Sequence, residues 1–328
     1  MRAATYTRTG PAIEVLVLED LLTPEPGAGE VRVQLAWSGV NPSDVKSRAG
    51  TRNKVLAYPK ITPHSDGAGV IDKVGAGVDA ARVGERVWVW NGAWGRASGT
   101  SAQFIVLPAR QAVRLPDSTE LDAGACLGIP ALTALHAVQV DGGVQGQHVL
   151  VAGGAGAVGH YAVQMARLAG AAQVIATVSS PEKAALAVAA GAHAVINYRS
   201  EDVAKLCMEL TKGRGVDRII EVDLAANLTN DLAAVRPGGQ IVIYGSGAAE
   251  IAVPFFPSIL KNVTMRFFIV YNLSEEERAL RLSQLTAMLT ANQLSHNIAV
   301  RLPLEQIAEA HELVAQGRVS GNVVLQTN

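Results

Sequence analysis

An apolar stretch, Val149–Ala152, runs directly into a segment with glycines at positions 153, 156 and 159, after which a helical pattern begins. This GxxGxxG spacing is a variant of the GxGxxG turn that joins a strand to a helix in dinucleotide-binding folds. Three roles need glycine in such a turn: one residue turns the chain, one lets backbone N–H groups approach a pyrophosphate, and one lets the helix pack on the strand. We assign these roles to Gly153, Gly156 and Gly159. The helix N-terminus adds partial positive charge. The segment therefore predicts the phosphate-binding turn of a Rossmann domain.

The chain after Leu121 alternates strand-like and helix-like runs at the spacing that βαβ units require. Helical stretches such as Ala157–Ala169 and Pro181–Ala190 carry apolar residues at helical spacing. The strand candidates are His148–Ala152, Val174–Val178, Ala194–Asn197, Arg218–Val222, Gln240–Tyr244 and Val263–Val270. Six strands with crossover helices predict an α/β fold with a doubly wound parallel sheet.

Before residue 122 the pattern differs, because short β-type runs are separated by proline and glycine. The tail, from Leu273, has helical and strand-like runs, and we expect it to fold back onto the N-terminal part. At 328 residues the chain is long enough for two such lobes. We predict a mostly β domain over residues 1–122, the Rossmann domain over 123–270 and a returning segment over 271–328.

The residues at the end of the second Rossmann strand decide which dinucleotide fits. NAD-binding domains usually place Asp or Glu there, about 20 residues after the glycine turn. Here the position is Ser179, with Lys183 at the start of the next helix. A carboxylate would repel a 2′-phosphate, whereas hydroxyls and a lysine would bind it. Glu182 is interpreted as a helix-start residue that points away. The sequence therefore predicts NADPH; the alternative for Lys183 is an ordinary solvated helix residue.

Composition argues against several other classes of protein. Lys and Arg total 28 against 29 Asp and Glu, so no basic field is available for nucleic acid or an anionic membrane. No apolar run approaches the roughly 20 residues of a membrane helix, and the N-terminus lacks a signal-peptide stretch. The two cysteines, Cys126 and Cys207, form no CxxC pair, which fits a reducing compartment. We expect a cytoplasmic protein.

Seven segments together resemble the medium-chain dehydrogenase/reductase superfamily, in its zinc-free quinone oxidoreductase branch that includes zeta-crystallin. They are Gly39–Asp44, Ser65–Gly75, Gly128–Ala137, Gly153–Ala166, Gly191–Arg199, Pro237–Ser246 and Pro303–Leu325. The resemblance covers essentially the whole chain. It implies that the N-terminal β domain is a GroES-like catalytic domain beside the Rossmann domain.

The resemblance also implies roles for particular residues. Asn41 and Thr133 would lie near the nicotinamide, and Asp44 would order the loop. Contacts to the pyrophosphate and adenosine ribose would fall on Ala155, Gly156, Ala157, Val158, Ser179, Lys183 and Tyr198. Contacts beside the nicotinamide ribose would fall on Asn227, Ile243, Tyr244, Gly245, Ser246, Ile269, Val270 and Tyr271. Many relatives have tyrosine where this chain has Lys46, which puts any contact of that tyrosine in doubt here.

Zinc-dependent members of the superfamily need a Cys where Asn41 stands and a His-Glu pair where Ser65-Asp66 stands. His64 and Cys126 each sit about one residue from aligned ligand positions. A structural four-cysteine zinc lobe is impossible with two cysteines. We therefore expect no metal, and without a Lewis acid alcohol oxidation is disfavoured.

Metal-free hydride transfer suits an acceptor that is already electrophilic, such as a quinone or an α,β-unsaturated carbonyl. Asn41, Lys46 or backbone N–H groups would stabilise the developing anion. The leading hypothesis is an NADPH-dependent quinone reductase, and the alternative is a reductase of enone or enoyl double bonds. A third, different in class, is a non-enzymatic role in RNA binding or as a lens protein, as in some relatives. Trp94 is interpreted either as a wall of the substrate cleft or as lid or surface packing.

The last Rossmann strand candidate, Val263–Val270, is apolar and would lie at a sheet edge. An exposed apolar edge strand promotes aggregation unless it is paired. Pairing with the same strand of a second copy would protect it. We therefore expect a homodimer, or a tetramer built from such dimers.

Overall fold

The computed structural model describes residues 1–51 and 53–328. The chain forms two compact units, one of Met1–Pro130 with Gln284–Asn328 and the other of Ala131–Ser283. The sequence-based boundaries, after residues 122 and 270, lie earlier in the chain than these. Among the described residues, no helix combines the length and apolar character needed to cross a membrane.

The secondary structure changes character near residue 130. Before it lie mainly short strands and helices: β1 Arg2–Thr5, α1 Ala12–Val15, β2 Val17–Asp20, β3 Glu30–Val40, α2 Pro42–Ala49, β4 Asp66–Val74, β5 Arg86–Val89, β6 Phe104–Pro108, β7 Ala112–Arg114 and α3 Leu121–Gly124. After it, helices and strands alternate: α4 Leu132–Gln139, β8 His148–Val151, α5 Ala157–Leu168, β9 Gln173–Val178, α6 Pro181–Ala189, β10 Ala194–Asn197, α7 Val203–Leu210, β11 Val216–Glu221, α8 Leu224–Ala234, β12 Val235–Ile243, α9 Phe255–Leu260 and β13 Thr264–Phe267. The tail has α10 Glu275–Thr290, β14 Ile298–Pro303, α11 Ile307–Ala315 and β15 Asn322–Gln326.

In the second unit, six of the described strands form one sheet in the order β10-β9-β8-β11-β12-β13. Every neighbouring pair is parallel. The order reverses between β8 and β11, which makes the carboxyl ends of these strands the usual ligand-binding edge of such a sheet. The predicted doubly wound α/β fold is confirmed.

The edge strand β13 is shorter than the sequence predicts. Apolar character continues from Val263 to Val270, but the strand covers only Thr264–Phe267, and a 3-10 helix begins at Val270. The guanidinium of Arg278 donates hydrogen bonds to the carbonyl oxygens of Val270 (2.5 Å) and Tyr271 (3.1 Å). These bonds hold the chain in the turn, so apolar sequence alone overestimates the strand.

In the first unit, the main sheet has the order β14-β15-β3-β4-β5-β7, and β6 also pairs with β3. Strand β15 of the tail lies antiparallel to β3, so the tail completes this sheet. Alternate residues of β3 enter the core because side chains alternate across a strand. That core contains Val31, Val33, Leu35, Ile71, Val87, Val89, Ile105, Leu107 and Ala112.

A chain of buried hydrogen bonds joins helix α11 to the N-terminal part of the same unit. Thr100 donates its hydroxyl to the carbonyl of Asp66 (2.5 Å), so Ser38 must donate to Thr100 across 2.8 Å. Ser38 then accepts from His64 Nδ1 at 2.9 Å. His64 Nε2 is left as an acceptor for His311 Nε2, also at 2.9 Å. Burial lowers the pKa of both imidazoles, so both are neutral, and the bond between them ties the tail to the N-terminal part.

Candidate functional site

The turn after β8 is tied to the end of β9. Gly153 adopts a φ of 67°, which suits glycine, and turns the chain out of the strand. The amide of Gly153 donates to Thr177 Oγ1 and that of Gly154 to the Thr177 carbonyl, both at 3.0 Å. Gly156 N–H in turn donates to the Gly153 carbonyl at 2.9 Å. The glycine segment thus forms the tight strand-to-helix turn that its spacing predicts.

Two glycines allow close packing of this turn. A Cβ on Gly159 would lie 2.1 Å from the carbonyl oxygen of Gly153, and a Cβ on Gly154 would lie 2.5 Å from Cβ of Ala176. Side chains at either position would force α5 away from the turn or the turn away from β9. Gly159 therefore has the packing role expected from the sequence, whereas the role of Gly154 was not predicted.

The first turn of α5 presents backbone amides at the carboxyl edge of the sheet. Gly156 is the N-cap of this helix, and the first N–H groups of any helix lack an intrahelical acceptor. Residues 156–158 are partly exposed. The helix dipole adds positive potential there. The predicted phosphate contacts, Ala155 to Val158, therefore lie where backbone groups are suited to an anion.

The end of β9 carries hydroxyls and a lysine. Ser179 is partly exposed, and Ser180 is the N-cap of α6, with Oγ accepting from Lys183 N–H at 3.3 Å. A hydrogen bond with Ser180 lowers the pKa of the Glu182 carboxyl. Glu182 is therefore held in the first turn of α6, as the helix-start interpretation expected. Ser179 and the side chain of Lys183 remain as the groups that could meet a 2′-phosphate.

A cavity of about 400 Å³ opens beside the glycine turn in this unit. Its lining includes Gly153, Thr177, Tyr198, Asp223, Asn227 and Asn230. The amide of Tyr198 donates to the Val178 carbonyl at 3.1 Å, while its side chain is half exposed. The predicted adenosine neighbour Tyr198 thus lies at the same cavity as the phosphate turn.

The ends of β11 and β12 bring the second group of predicted residues to the same edge. Asn227 Nδ2 donates to Glu221 Oε1 at 2.9 Å, and Tyr244 N–H donates to the Glu221 carbonyl at 3.1 Å. A Cβ on Gly245 would lie 2.1 Å from the Val222 carbonyl oxygen, so only glycine fits. The two strand ends are thereby packed directly against each other.

The remaining predicted cofactor residues also end strands of this sheet. Ile243 is the last residue of β12, and Ser246 follows it with Oγ donating to the Ala248 carbonyl at 2.7 Å. Ile269 is extended, but Val270 and Tyr271 are in the 3-10 helix and buried, so the strand that was predicted to reach Val270 ends earlier. All the predicted cofactor residues therefore lie in the second unit, near the carboxyl ends of its strands.

In the first unit, Asn41 is the N-cap of α2 and is 4% exposed. Its backbone N–H donates to Asp44 Oδ2 at 2.8 Å, which confirms that Asp44 orders the loop. Its Nδ2 donates to Asp66 Oδ2 at 2.9 Å, and the same oxygen accepts from Ile129 N–H at 3.1 Å. The amide of Asn41 is therefore oriented by a buried carboxyl group.

Asp66 was not predicted as a functional residue. Its side chain is fully buried, and burial raises the pKa of its carboxyl well above the ordinary value. Oδ1 has no hydrogen-bond partner among the residues described. A Cβ on Gly128 would lie 2.4 Å from this oxygen, so glycine is required there. Burial is the larger effect, so Asp66 is neutral and protonated, although the two N–H donors on Oδ2 favour the charged form.

The other predicted catalytic and pocket residues are distributed over both units. Lys46 lies on α2, five residues after Asn41, and is partly exposed. Trp94 follows β5 in a loop of the first unit with 41% of its surface exposed. Thr133 belongs to the second unit, in the first turn of α4, and is buried. Trp88 and Trp90 are buried, as alternation along a strand places both on one face.

Potential metal ligands are scattered. Across residues 1–51 and 53–328, no three His, Cys, Asp or Glu side chains are grouped so as to hold a metal ion. Both ring nitrogens of His64 are hydrogen-bonded, to Ser38 and His311. Burial raises the pKa of the Cys126 thiol well above its ordinary value, which disfavours the thiolate that binds metals.

Two family models match the chain: the alcohol dehydrogenase GroES-like domain over residues 27–117 and the zinc-binding dehydrogenase over residues 157–285. The quinone oxidoreductase of Pongo abelii is 32% identical over 316 residues, covering 95% of this chain and 94% of its own. A 2-haloacrylate reductase from a Burkholderia species is 32% identical over 341 residues, covering 99% and 98%.

Solved structures agree over the full length. The structure of an NAD-dependent alcohol dehydrogenase is 31% identical, with a TM-score of 0.90 and complete coverage of both chains. A mycobacterial protein solved in complex with NADPH is 28% identical, with a TM-score of 0.86 and 99% coverage of both chains.

Substitutions of Asp66 test its protonation. Asp66→Asn keeps an acceptor for Asn41 and Ile129 and mimics the neutral acid. We therefore expect its free energy of unfolding to be close to that of the natural protein. Asp66→Ala leaves two buried N–H donors unpaired and should lower the free energy of unfolding by about 1–3 kcal/mol per donor. Urea denaturation of both variants measures this. If Asp66→Asn were as unstable as Asp66→Ala, the carboxyl would have to be ionised in the folded protein.

Proposed function

Since the chain belongs to the quinone oxidoreductase family of the medium-chain dehydrogenases/reductases, we propose that it is an NADPH-dependent, zinc-independent reductase of quinones. The observation that carries this proposal is the carboxyl edge of the second unit. There the glycine turn, the N-terminus of α5, Ser179 and Lys183 lie along adjoining strand ends. This arrangement suits a dinucleotide that carries a 2′-phosphate.

The residues present fit the cofactor. The turn at Gly153 to Gly159 is packed so tightly that side chains are excluded at Gly159, which leaves backbone amides as its phosphate donors. Ser179 and Lys183 would bind the 2′-phosphate, and Tyr198 would border the adenosine. Asn227, Ile243 to Ser246 and Ile269 to Tyr271 would border the nicotinamide ribose. When bound, the nicotinamide would supply the hydride.

Preference for NADPH rests on charge at the end of β9. One solved relative is an NAD-dependent enzyme, and NAD binding usually requires a carboxylate at this position. Here the first carboxylate along the chain after β9 is Glu182, which is hydrogen-bonded to Ser180 in the first turn of α6. A 2′-phosphate would therefore meet Ser179 and Lys183 rather than a free acid.

The first unit would supply electrostatic stabilisation. An asparagine side-chain amide has two N–H groups. One of those of Asn41 donates a hydrogen bond to Asp66. We propose that the other N–H of Asn41 and the ammonium of Lys46 stabilise negative charge as it develops on the acceptor oxygen. Thr133 would lie near the nicotinamide, and the exposed face of Trp94 would stack on a planar acceptor.

Zinc independence is part of the proposal, although one matching family is described as zinc-binding. It is supported by the hydrogen bonds of the side chains at or next to the positions where zinc-dependent members carry ligands. Asn41 and Asp66 are hydrogen-bonded to each other, and His64 is bonded through both nitrogens. A conjugated carbonyl is electrophilic enough to need no Lewis acid.

Reduction of an activated carbon–carbon double bond is the second candidate function. It is favoured by the similarity to a 2-haloacrylate reductase over 99% of the chain. Quinones and enones share the conjugated carbonyl that the proposed donors would stabilise, so these residues alone do not separate the two.

A substrate panel under saturating NADPH separates them. We expect saturable oxidation of NADPH by 1,2- and 1,4-quinones with a higher kcat/KM than with alkenals, 2-alkenones or 2-haloacrylate. Absorbance of NADPH reports each rate. Turnover of the alkenes with no quinone activity would instead support the second function, and no turnover with either class would contradict both.

Substitutions at the end of β9 test the cofactor choice. Lys183→Ala removes one charge-assisted bond, worth about 1.5–3 kcal/mol, so the Kd for NADPH should rise roughly tenfold or more. Ser179→Asp should weaken the binding of NADPH and strengthen the binding of NADH. Lys205→Ala, an exposed lysine on α7, is the matched control. Calorimetric titration measures both cofactors; unchanged NADPH affinity in Lys183→Ala would contradict the assignment.

A homodimer is the assembly we propose. Strand β13 is an edge of the six-stranded sheet, and α9 before it exposes Phe255, Phe256, Ile259 and Leu260. An exposed apolar patch beside the open edge of a sheet is costly in water. A second copy would cover both features at once.

Light scattering after size-exclusion chromatography tests the dimer. The natural chain should elute at twice its mass of 34.3 kDa. Phe256→Lys should shift the protein toward monomer, because a charge would be buried in the interface. Val188→Lys, at an exposed apolar position on α6, should leave the mass unchanged. A natural protein that is monomeric would exclude this assembly.

A further inference from the structure

Two carboxyl groups are buried against each other in the second unit. Glu221 ends β11 and is 0% exposed, while Asp231 on α8 is 3% exposed. Glu221 Oε2 and Asp231 Oδ2 are buried and have no hydrogen-bond partner among the described residues, and each carboxyl shifts the pKa of the other. Because a carboxylate has no hydrogen to donate, one proton on the pair is what allows these two oxygens to bond to each other.

The neighbouring donors indicate which residue holds the proton. Glu221 Oε1 accepts from Asn227 Nδ2 at 2.9 Å and also from the backbone N–H of Asp223. Burial raises the pKa of the Glu221 carboxyl, but these two donors oppose that effect and favour the charged form on Glu221 over Asp231. Burial, followed by the adjacent Glu221 charge, raises the pKa of the Asp231 carboxyl to about 9. Asp231 therefore holds the proton and donates it to Glu221 at neutral pH.

The titratable groups that face the pair do not neutralise it. Cys207 on α7 lies beside Asp231, and burial raises the pKa of its thiol to about 12. The hydroxyl of Tyr244, the residue after β12, is buried near Glu221, and its pKa is raised as well. Asp223 adds a further negative charge on the turn after β11. Since none of these groups is cationic, one shared proton is what keeps a second buried charge from forming.

The pair also holds the segment that borders the cavity beside the glycine turn. Glu221 and Asp231 line that cavity together with Gly153 and Tyr198. Through Glu221 Oε1, the pair fixes the turn at Asp223 and the amide of Asn227. Asp223 Oδ1 then accepts from Gly247 N–H at 2.7 Å, which connects the turn to the segment after β12.

From this geometry we propose that Glu221 and Asp231, sharing one proton, are positioning residues for NADPH: they hold Asn227 and the turn after β11 in the binding arrangement. The inference rests on the proposed cofactor site. When the proton leaves, two adjacent buried charges repel, and the turn must open to hydrate them. Cofactor affinity is then lost in alkaline solution, before any chemical step.

Titration with NADPH between pH 7 and pH 10 measures this effect. If only the protonated pair binds, the Kd of the natural protein should rise roughly tenfold one unit above the pKa. Asp231→Asn keeps a permanent donor to Glu221 and should bind NADPH equally at pH 7 but lose this rise. Glu209→Gln, an exposed carboxylate on α7, is the matched control and should keep the rise. Alkaline weakening of equal size in natural protein and Asp231→Asn would overturn the positioning role.

An infrared measurement separates failure of this inference from failure of the proposed function, because it needs no cofactor. The difference spectrum between the natural protein and Asp231→Asn at pH 7 should show a protonated-carboxyl band that disappears above the pKa, because the band of Asp66 is common to both proteins and cancels. A band without pH-dependent affinity would restrict the pair to a structural role. Absence of the band from the difference spectrum would overturn the shared proton. Absence of NADPH binding in every variant at pH 7 would contradict the cofactor site itself.

Discussion

The contact between Gly159 and the carbonyl of Gly153 determines how the second unit presents its binding edge. Any Cβ at position 159 would lie 2.1 Å from that oxygen, so helix α5 can approach the turn only because the residue is glycine. The same carbonyl accepts from Gly156 N–H, the N-cap of α5. Turn, cap and first helical turn therefore form one rigid piece. Bonds from this piece to Thr177 then fix it beside the end of β9, where Ser179 and Lys183 follow.

Each unit uses buried carboxyl groups to orient an amide side chain. Asp66 accepts from Asn41 in the first unit, and Glu221 accepts from Asn227 in the second. Burial raises the pKa of both carboxyls, and in neither case does a cation offset it. A buried carboxyl is costly unless its bonds are satisfied. In each unit the carboxyl thus fixes an amide that is predicted to border the cofactor, at a cost in stability.

Much of the second unit could be predicted from sequence because its strands are short apolar runs between helical patterns. The positions of β8 to β12 follow from such runs, and the glycine turn follows from spacing. The edge strand was overestimated because Arg278, on a later helix, holds Val270 and Tyr271 in a turn. Apolar character at those residues serves burial in a 3-10 helix instead of a strand.

The contacts that sequence reasoning missed are those between residues far apart in the chain. Asn41 and Asp66 are 25 positions apart, and His64 and His311 are 247 apart. No local pattern marks such pairs, because the sheet alone brings them together. Gly154 was missed for the same reason: its requirement comes from Ala176 on the neighbouring strand.

Hydrogen exchange with and without NADPH tests most directly whether the dinucleotide binds along the carboxyl edge of the six-stranded sheet. Bound cofactor should slow exchange in peptides that cover residues 153–160, 179–183 and 244–246, while peptides from the opposite ends of the strands remain unchanged. Protection confined to other regions, or none at saturating NADPH, would contradict the binding edge assigned to this protein.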